Sequence, residues 1–245
     1  MSKDFYSEEI TTQSFIELKK FLCWMYDKKG VIPIIIGGWA VWSYVKGKGS
    51  RDIDAVFYDE HSISYILIDE YFANNGYRIV KRGLIPLYYS KNVMTSNGER
   101  EIIFDIFDAS KNREDEEGLG ITIPWGWTVQ YRRKIKLVEN LEMYVPVPEL
   151  LIVLKIVAAL GRSVTMKTSA EPERYRSKIW KDYYDVALLI KSIRLNHDSL
   201  RTFLTDSNVN KHIIGFLKGY KLDEHKNIFA ELEIDYKTIE DAFRN

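Results

Sequence analysis

Apolar residues recur at helical spacing near the start of the chain, where Phe15, Leu18, Leu22 and Met25 fall three or four apart between Thr11 and Lys29. That period predicts a helix, with Thr11 or Thr12 as its N-cap and Gly30 as its stop. Val31–Ile36 is then a continuous apolar run that reads as a strand. Pro33 lies inside it and cannot donate to a sheet ladder, which places it at an edge, at the strand start or at a bulge. A helix over Trp39–Val45, a strand over Asp52–Tyr58 and a helix over Ser62–Asn75, stopped by Gly76, follow in order. Strand-like runs at Tyr77–Val80 and Ile85–Tyr89 come next. A turn at Ser96-Asn97-Gly98 then leads into Glu101–Phe107. Lys111–Gly120 is polar, with four acids in a row from Glu114 to Glu117, and reads as a solvated loop. A strand-like stretch runs from Leu137 to Val145. After Pro146-Val147-Pro148 the pattern turns helical throughout, predicting one domain over 1–146 and a helical one over 147–245. Its first helix is apolar over Leu150–Leu160 except for Lys155, with Pro148 at its start and Gly161 as its stop.

The chemistry concentrates between Ile34 and Phe57. An apolar strand ends in Gly37-Gly38, thirteen residues follow, and Asp52-Ile53-Asp54 opens a second apolar run. Residues two apart in a strand share a face, so Asp52 and Asp54 project together. Side-by-side carboxylates in an apolar strand repel, and burying them ionised costs several kcal/mol per ion without a partner. A cation belongs there, and Mg²⁺, held by carboxylate and phosphate oxygens, has the right chemistry. The glycines permit close backbone approach, and the helix after them aims its free N–H groups at the same spot, which suits a phosphate. The competing reading is a surface strand whose acids meet water, but Ala55-Val56-Phe57 continues without polar alternation, as in a strand buried on both faces.

A Gly-Gly pair followed at this spacing by Asp-x-Asp resembles the signature of the polymerase-β-type nucleotidyltransferase superfamily. Lys48-Gly49-Ser50-Arg51-Asp52-Ile53-Asp54 is similar to the Arg-x-Thr-x-Asp-Ile-Asp form of AbiE-type toxin nucleotidyltransferases. The resemblance implies an α+β chain, a mixed sheet with flanking helices in the nucleotidyltransferase fold followed by a C-terminal α-helical domain, with the site in the cleft between them. It also implies a third carboxylate on a strand beside Asp-x-Asp. Asp105, between Phe104 and Ile106, fits better than Asp108, which suits a cap before Ala109-Ser110. The two face opposite sides of a strand, so both cannot serve. On this resemblance Asp52, Asp54 and Asp105 hold Mg²⁺ ions roughly 4 Å apart. Gly37, Gly38, Ser50 and Arg51 receive the phosphates of a nucleoside triphosphate. Lys155 neutralises charge, its surroundings resembling a Pro-x-x-Leu-x-x-x-Lys-x-x-Ala helix of the same family, although a lysine there could equally snorkel to solvent. Asp182 and Asp185, in Lys181-Asp182-Tyr183-Tyr184-Asp185, resemble its Lys-Asp-x-x-Asp segment, and Lys178–Asp182 and Lys181–Asp185 are also i,i+4 ion pairs.

Composition narrows the partners. The 245 residues hold 35 basic and 35 acidic side chains, so attraction to nucleic acid or anionic lipid must come from local patches. One such patch is Arg162–Lys181, six basic residues against two acidic, a guide for RNA or a solvated face. Another is Arg132-Arg133-Lys134 with Lys136. Trp125-Gly126-Trp127 is read as packing ahead of base stacking. The single Cys23 excludes an internal disulfide, and the four scattered histidines lack zinc-ligand spacing. No membrane-length apolar run or signal peptide is present, which implies a cytoplasmic protein with no membrane partner. The expected activity is transfer of a nucleoside monophosphate to a hydroxyl of RNA, tRNA or protein, as a toxin with an antitoxin partner. The alternatives are an inactive nucleotide- or partner-binding module of the same fold, or an enzyme acting on aminoglycoside-type small molecules.

Overall fold

In the computed structural model, which describes residues 6–29, 32–58, 65–82, 85–113 and 118–244, the chain divides into two units. One comprises residues 2–111 and 124–146; the other comprises 147–245 together with 112–123.

The first unit begins with helix α1, Glu8–Lys29. It starts three residues before the expected cap, because Glu8 and Glu9 suit the positive end of the helix. Thr11 sits inside the first turn and its hydroxyl donates back to the carbonyls of Ser7 and Glu8. The expected stop at Gly30 and the start of the next run at Val31 lie outside the described residues, as do Ser62 and the acidic run Glu114–Glu117. Strand β1 is Ile34–Ile36, and Pro33 immediately precedes it, so the ladder loses no donor. Helix α2 (Gly37–Val45), strand β2 (Ile53–Phe57), helix α3 (Tyr65–Asn74) and strands β3 (Arg78–Arg82), β4 (Ile85–Thr95) and β5 (Gly98–Asp108) follow. The turn between β4 and β5 is where the sequence puts it, with Gly98 at φ +92°.

One expectation fails in this unit. Leu137–Val145 is not a single strand. The basic run is itself part of strand β6 (Arg132–Val138), which turns through Glu139-Asn140 into β7 (Leu141–Pro146). A two-residue turn without glycine or proline leaves little trace in an apolar pattern. The seven strands form one mixed sheet in the order β3-β4-β5-β2-β1-β7-β6, with β2/β5 and β1/β7 parallel.

Register then sorts the side chains. Ile53 pairs with Phe104, and Asp54 pairs with Asp105. Phe104 and its neighbours therefore face one way and the two acids the other. On the first face, Phe21 of α1 packs against Phe104 with ring centroids 5.1 Å apart, and Phe72 of α3 stacks on Tyr89 at 3.9 Å. Each fully buried ring of this kind contributes about 1.5–3 kcal/mol. The aromatic core thus covers the face away from Asp54 and Asp105.

The second unit is helical: α5 (Pro148–Thr165), α6 (Pro172–Ser192), α7 (His197–Asp206), α8 (Ile213–Gly219), α9 (Lys226–Leu232) and α10 (Tyr236–Arg244), while the short α4 (Gly126–Gln130) belongs to the first. Pro148 opens α5 as expected, but Gly161 does not end it; the helix runs one turn further and buries that glycine. Asn196 caps α7 through its side chain, which accepts from the Ser199 N–H. No helix among the described residues is long and apolar enough to cross a membrane.

Candidate active site

Strand β1 hands the chain to α2 through Gly37, whose φ of +67° is a left-handed value that disfavours side chains. Space forbids a side chain as well. A Cβ on Gly37 would fall 2.0 Å from Oδ2 of Asp54 and 3.0 Å from its Cγ. The Asp54 carboxylate therefore lies directly against the start of α2, a helix with no side-chain cap and no acid in its own first turn. The positive end of the helix dipole favours negative charge at this spot. Gly38 is buried in that first turn. Cross-strand register brings Ile36 and Asp105 to either side of Asp54.

The loop between α2 and β2 is pinned from below. Gly49, at φ +71°, lies against the Trp39 ring, where a Cβ would stand 3.2 Å from the indole. Trp39 in turn donates its indole N–H to Ser14 of α1 at 3.1 Å. Ser50 and Arg51 are consequently buried at the loop's end. The Arg51 Nε donates to Oδ1 of Asp52 at 3.0 Å. Asp52 is not in the strand, as the sequence suggests, but one residue before it. Its guanidinium partner offsets the charge that Asp-x-Asp spacing would otherwise set beside Asp54. Among the described residues, no three His, Cys, Asp or Glu side chains converge into a ready metal cluster.

Asp108 has a different task. Its carboxylate accepts from the backbone N–H of Ser110 at 2.9 Å and from the Ser110 hydroxyl at 2.7 Å. Those bonds hold its pKa below the ordinary carboxylate value against the opposing effect of burial. Register pairs it with Phe57, on the face opposite Asp54. Trp125 is buried and stacks on Phe107 at 4.6 Å, so that ring packs rather than waiting for a base.

Within the helical unit, Lys155, Asp182 and Asp185 do come together, and two further cations join them. The Lys155 ammonium donates to Oδ1 of Asp182 at 3.1 Å and reaches Oδ2 of Asp185 at 2.7 Å. Lys181 grips both oxygens of Asp185 at 2.9 and 2.7 Å, the i,i+4 pair that the spacing suggests. Arg162 donates to the other oxygen of Asp182. Lys155 does not snorkel; it is 7% exposed. Burial works against its charge, yet Asp185 and Asp182 outweigh that and hold its pKa above the usual lysine value. For Lys181 burial wins, with Lys155 nearby adding to it, and the pKa is lowered. Burial pushes the Asp182 pKa up, but Arg162 and Lys155 together pull it below normal. Arg162 was legible only as part of a basic run. The overlooked signal is its position seven residues after Lys155, two turns along the same face of α5.

Gly37→Ala is expected to lose about 1–2 kcal/mol of stability from the left-handed backbone alone. It is also expected to displace the Asp54 carboxylate and abolish any rise in melting temperature given by a nucleoside triphosphate. Thermal unfolding with and without nucleotide reads both effects. Wild-type melting and a wild-type nucleotide shift would show that the glycine only turns the chain.

Comparison with protein-family models gives no match, and neither does comparison with curated proteins. Among solved structures, the chain is similar to an antigenic nucleotidyltransferase-like protein from Paracoccidioides brasiliensis, at 15% identity and a TM-score of 0.47, over 82% of this chain and 87% of that one.

Proposed function

We propose that the chain is a Mg²⁺-dependent nucleotidyltransferase that moves a nucleoside monophosphate from a nucleoside triphosphate to a hydroxyl acceptor. The observation that carries this reading is the Asp54 carboxylate packed against Gly37 at the start of α2, with Asp105 next to it in register. An acid at a helix start with no cap of its own, beside a second acid, suits a site that takes a phosphate and its counter-cation together.

Asp54, Asp105 and Asp52 would hold Mg²⁺. A ready three-acid cluster is not required, because Mg²⁺ is commonly bound by one or two carboxylates plus substrate phosphates. When bound, the ion offsets phosphate charge and activates the attacking oxygen. The first-turn N–H groups at Gly37 and Gly38 and the Ser50 hydroxyl bind the β- and γ-phosphates. Arg51 fixes Asp52. Asp105 accepts the proton of the acceptor hydroxyl as that oxygen bonds to the α-phosphorus. Pyrophosphate departs with the electron pair of the broken P–O bond. Positioning and charge compensation carry most of the rate in such transfers.

The resemblance to AbiE-type toxins supports RNA, tRNA or protein as acceptor and an antitoxin as partner. Incubation with each labelled nucleotide, Mg²⁺ and either total RNA or total protein tests the proposal. Label in one pool with stoichiometric pyrophosphate is expected. Nucleotide binding with no pyrophosphate from any acceptor, drugs of the aminoglycoside type included, would instead identify a binding module. The Arg51–Asp52 pair is the observation that favours that second reading.

A further inference from the structure

Two basic tracts compete as a docking surface for a polyanion, and their surroundings separate them. In the helical unit, Arg162 is tied to Asp182, Arg174 lies 3.5 Å from Glu171, Arg176 pairs with Glu173 and Glu224, and Lys181 holds Asp185. Those charges are answered within the protein. Strand β6 differs. It is an outer strand of the sheet and carries Arg132, Arg133, Lys134 and Lys136 within five residues. Among the described residues only Lys134 of these four has an acidic partner, Glu142, and that pair is about half exposed on both sides.

Alternation puts Arg132, Lys134 and Lys136 on one face of β6, repeating every ~6.7 Å. Lys134 pairs with Tyr144, Tyr144 with Ile34, and Ile34 with Val56. The cationic row therefore shares its sheet face with Asp54, two residues from Val56 on the same strand. Arg132 lies over the rings of Tyr58 and Tyr144, 5.0 and 4.9 Å from their centroids. At the other end, Lys136 lines a groove of about 310 Å³ with Leu22, Tyr26, Ile32, Pro33 and Leu141. The Tyr26 ring there is 60% exposed. Cations at a regular step leading to an apolar slot with an open aromatic ring are what a flexible chain of phosphates and flat bases requires.

We propose that the outer face of β6 and the adjoining groove bind single-stranded nucleic acid, with phosphates along Lys134 and Lys136 and a base against Tyr26. The bland competitor is an edge strand that carries lysines only to prevent pairing with another sheet. It gives no role to the groove. The surface stands on its own charges and needs no activity at Asp54.

The test is fluorescence anisotropy of a labelled 12-nucleotide single-stranded RNA of mixed sequence with the full chain, without nucleotide, over a range of salt. Lys134→Gln/Lys136→Gln is expected to weaken binding at least tenfold near 0.1 M salt. It should also reduce the log–log salt slope by about 1.4, from two lost phosphate contacts at about 0.7 each. Tyr26→Ala should weaken RNA binding several-fold and leave binding of inorganic polyphosphate unchanged. Lys167→Gln, in the other tract, and Asp54→Asn should bind RNA as wild type does, so loss of transfer and loss of docking are read separately. No measurable binding by wild type, an unchanged affinity and slope in the double variant, or equal competition by polyphosphate or an acidic peptide of the same charge would overturn the assignment.

Discussion

Asp54→Asn is expected to lower nucleotide transfer by about 10³-fold or more while leaving the melting temperature unchanged or slightly raised. Asparagine keeps the shape of the side chain, so the contact with Gly37 and the β2 ladder survive. What goes is one of two carboxylates held in register on adjacent parallel strands. Their mutual repulsion costs the fold something, and removing one charge returns it. A residue that serves structure loses stability when altered; a residue kept for function against stability shows the opposite sign. The stabilisation that Mg²⁺ with nucleotide gives wild type, which follows mass action, should vanish in the variant. Full transfer activity in Asp54→Asn would end the proposed chemistry. A large drop in melting temperature would mean that Asp54 is there for the fold.

The parts of the fold that depend on local rules were legible. Gly37 was readable because a tight strand-to-helix junction against a carboxylate admits no side chain, and the sequence marks it with two glycines. The choice of Asp105 over Asp108 followed from parity along one strand, and β5 keeps that parity all the way to its end. The failures have physical causes too. Thr11 resembles a cap, but Glu8 and Glu9 let the helix begin earlier. Gly161 resembles a stop, yet it sits buried on a helix whose packing outweighs glycine's intrinsic cost of about 1 kcal/mol. The Glu139-Asn140 turn was hidden because Leu137 and Leu141 keep the apolar pattern running across it. Least visible was the charge network around Asp182 and Asp185. Pairing across helices depends on how α5 and α6 meet, and a one-dimensional pattern holds no record of that.

That network yields the second large effect, because its charges do not balance. Three cations, Lys155, Lys181 and Arg162, meet two carboxylates, Asp182 and Asp185. Asp185 accepts from both lysines and is fully buried. Asp185→Asn would leave two buried ammonium groups sharing Asp182 with Arg162. Removing one partner from a buried ion pair in this way typically costs about 3–5 kcal/mol. Lys155→Met is different. It leaves Arg162 with Asp182 and Lys181 with Asp185, two and two, and replaces the lysine stem with one of similar length. The expected cost is about 1–2 kcal/mol, the lost hydrogen bonds alone. The order of the two effects is the prediction, read by chemical unfolding followed through the helix signal. Relief of Lys181 should accompany the second variant: its pKa, lowered first by burial and then by Lys155, should move back up once that neighbour is gone. Equal destabilisation by the two substitutions would show that all three cations are needed to build the unit. The predicted order would instead leave Lys155 as a buried charge the fold can do without, and nucleotide transfer by the still-folded Lys155→Met protein then decides whether that charge serves the reaction.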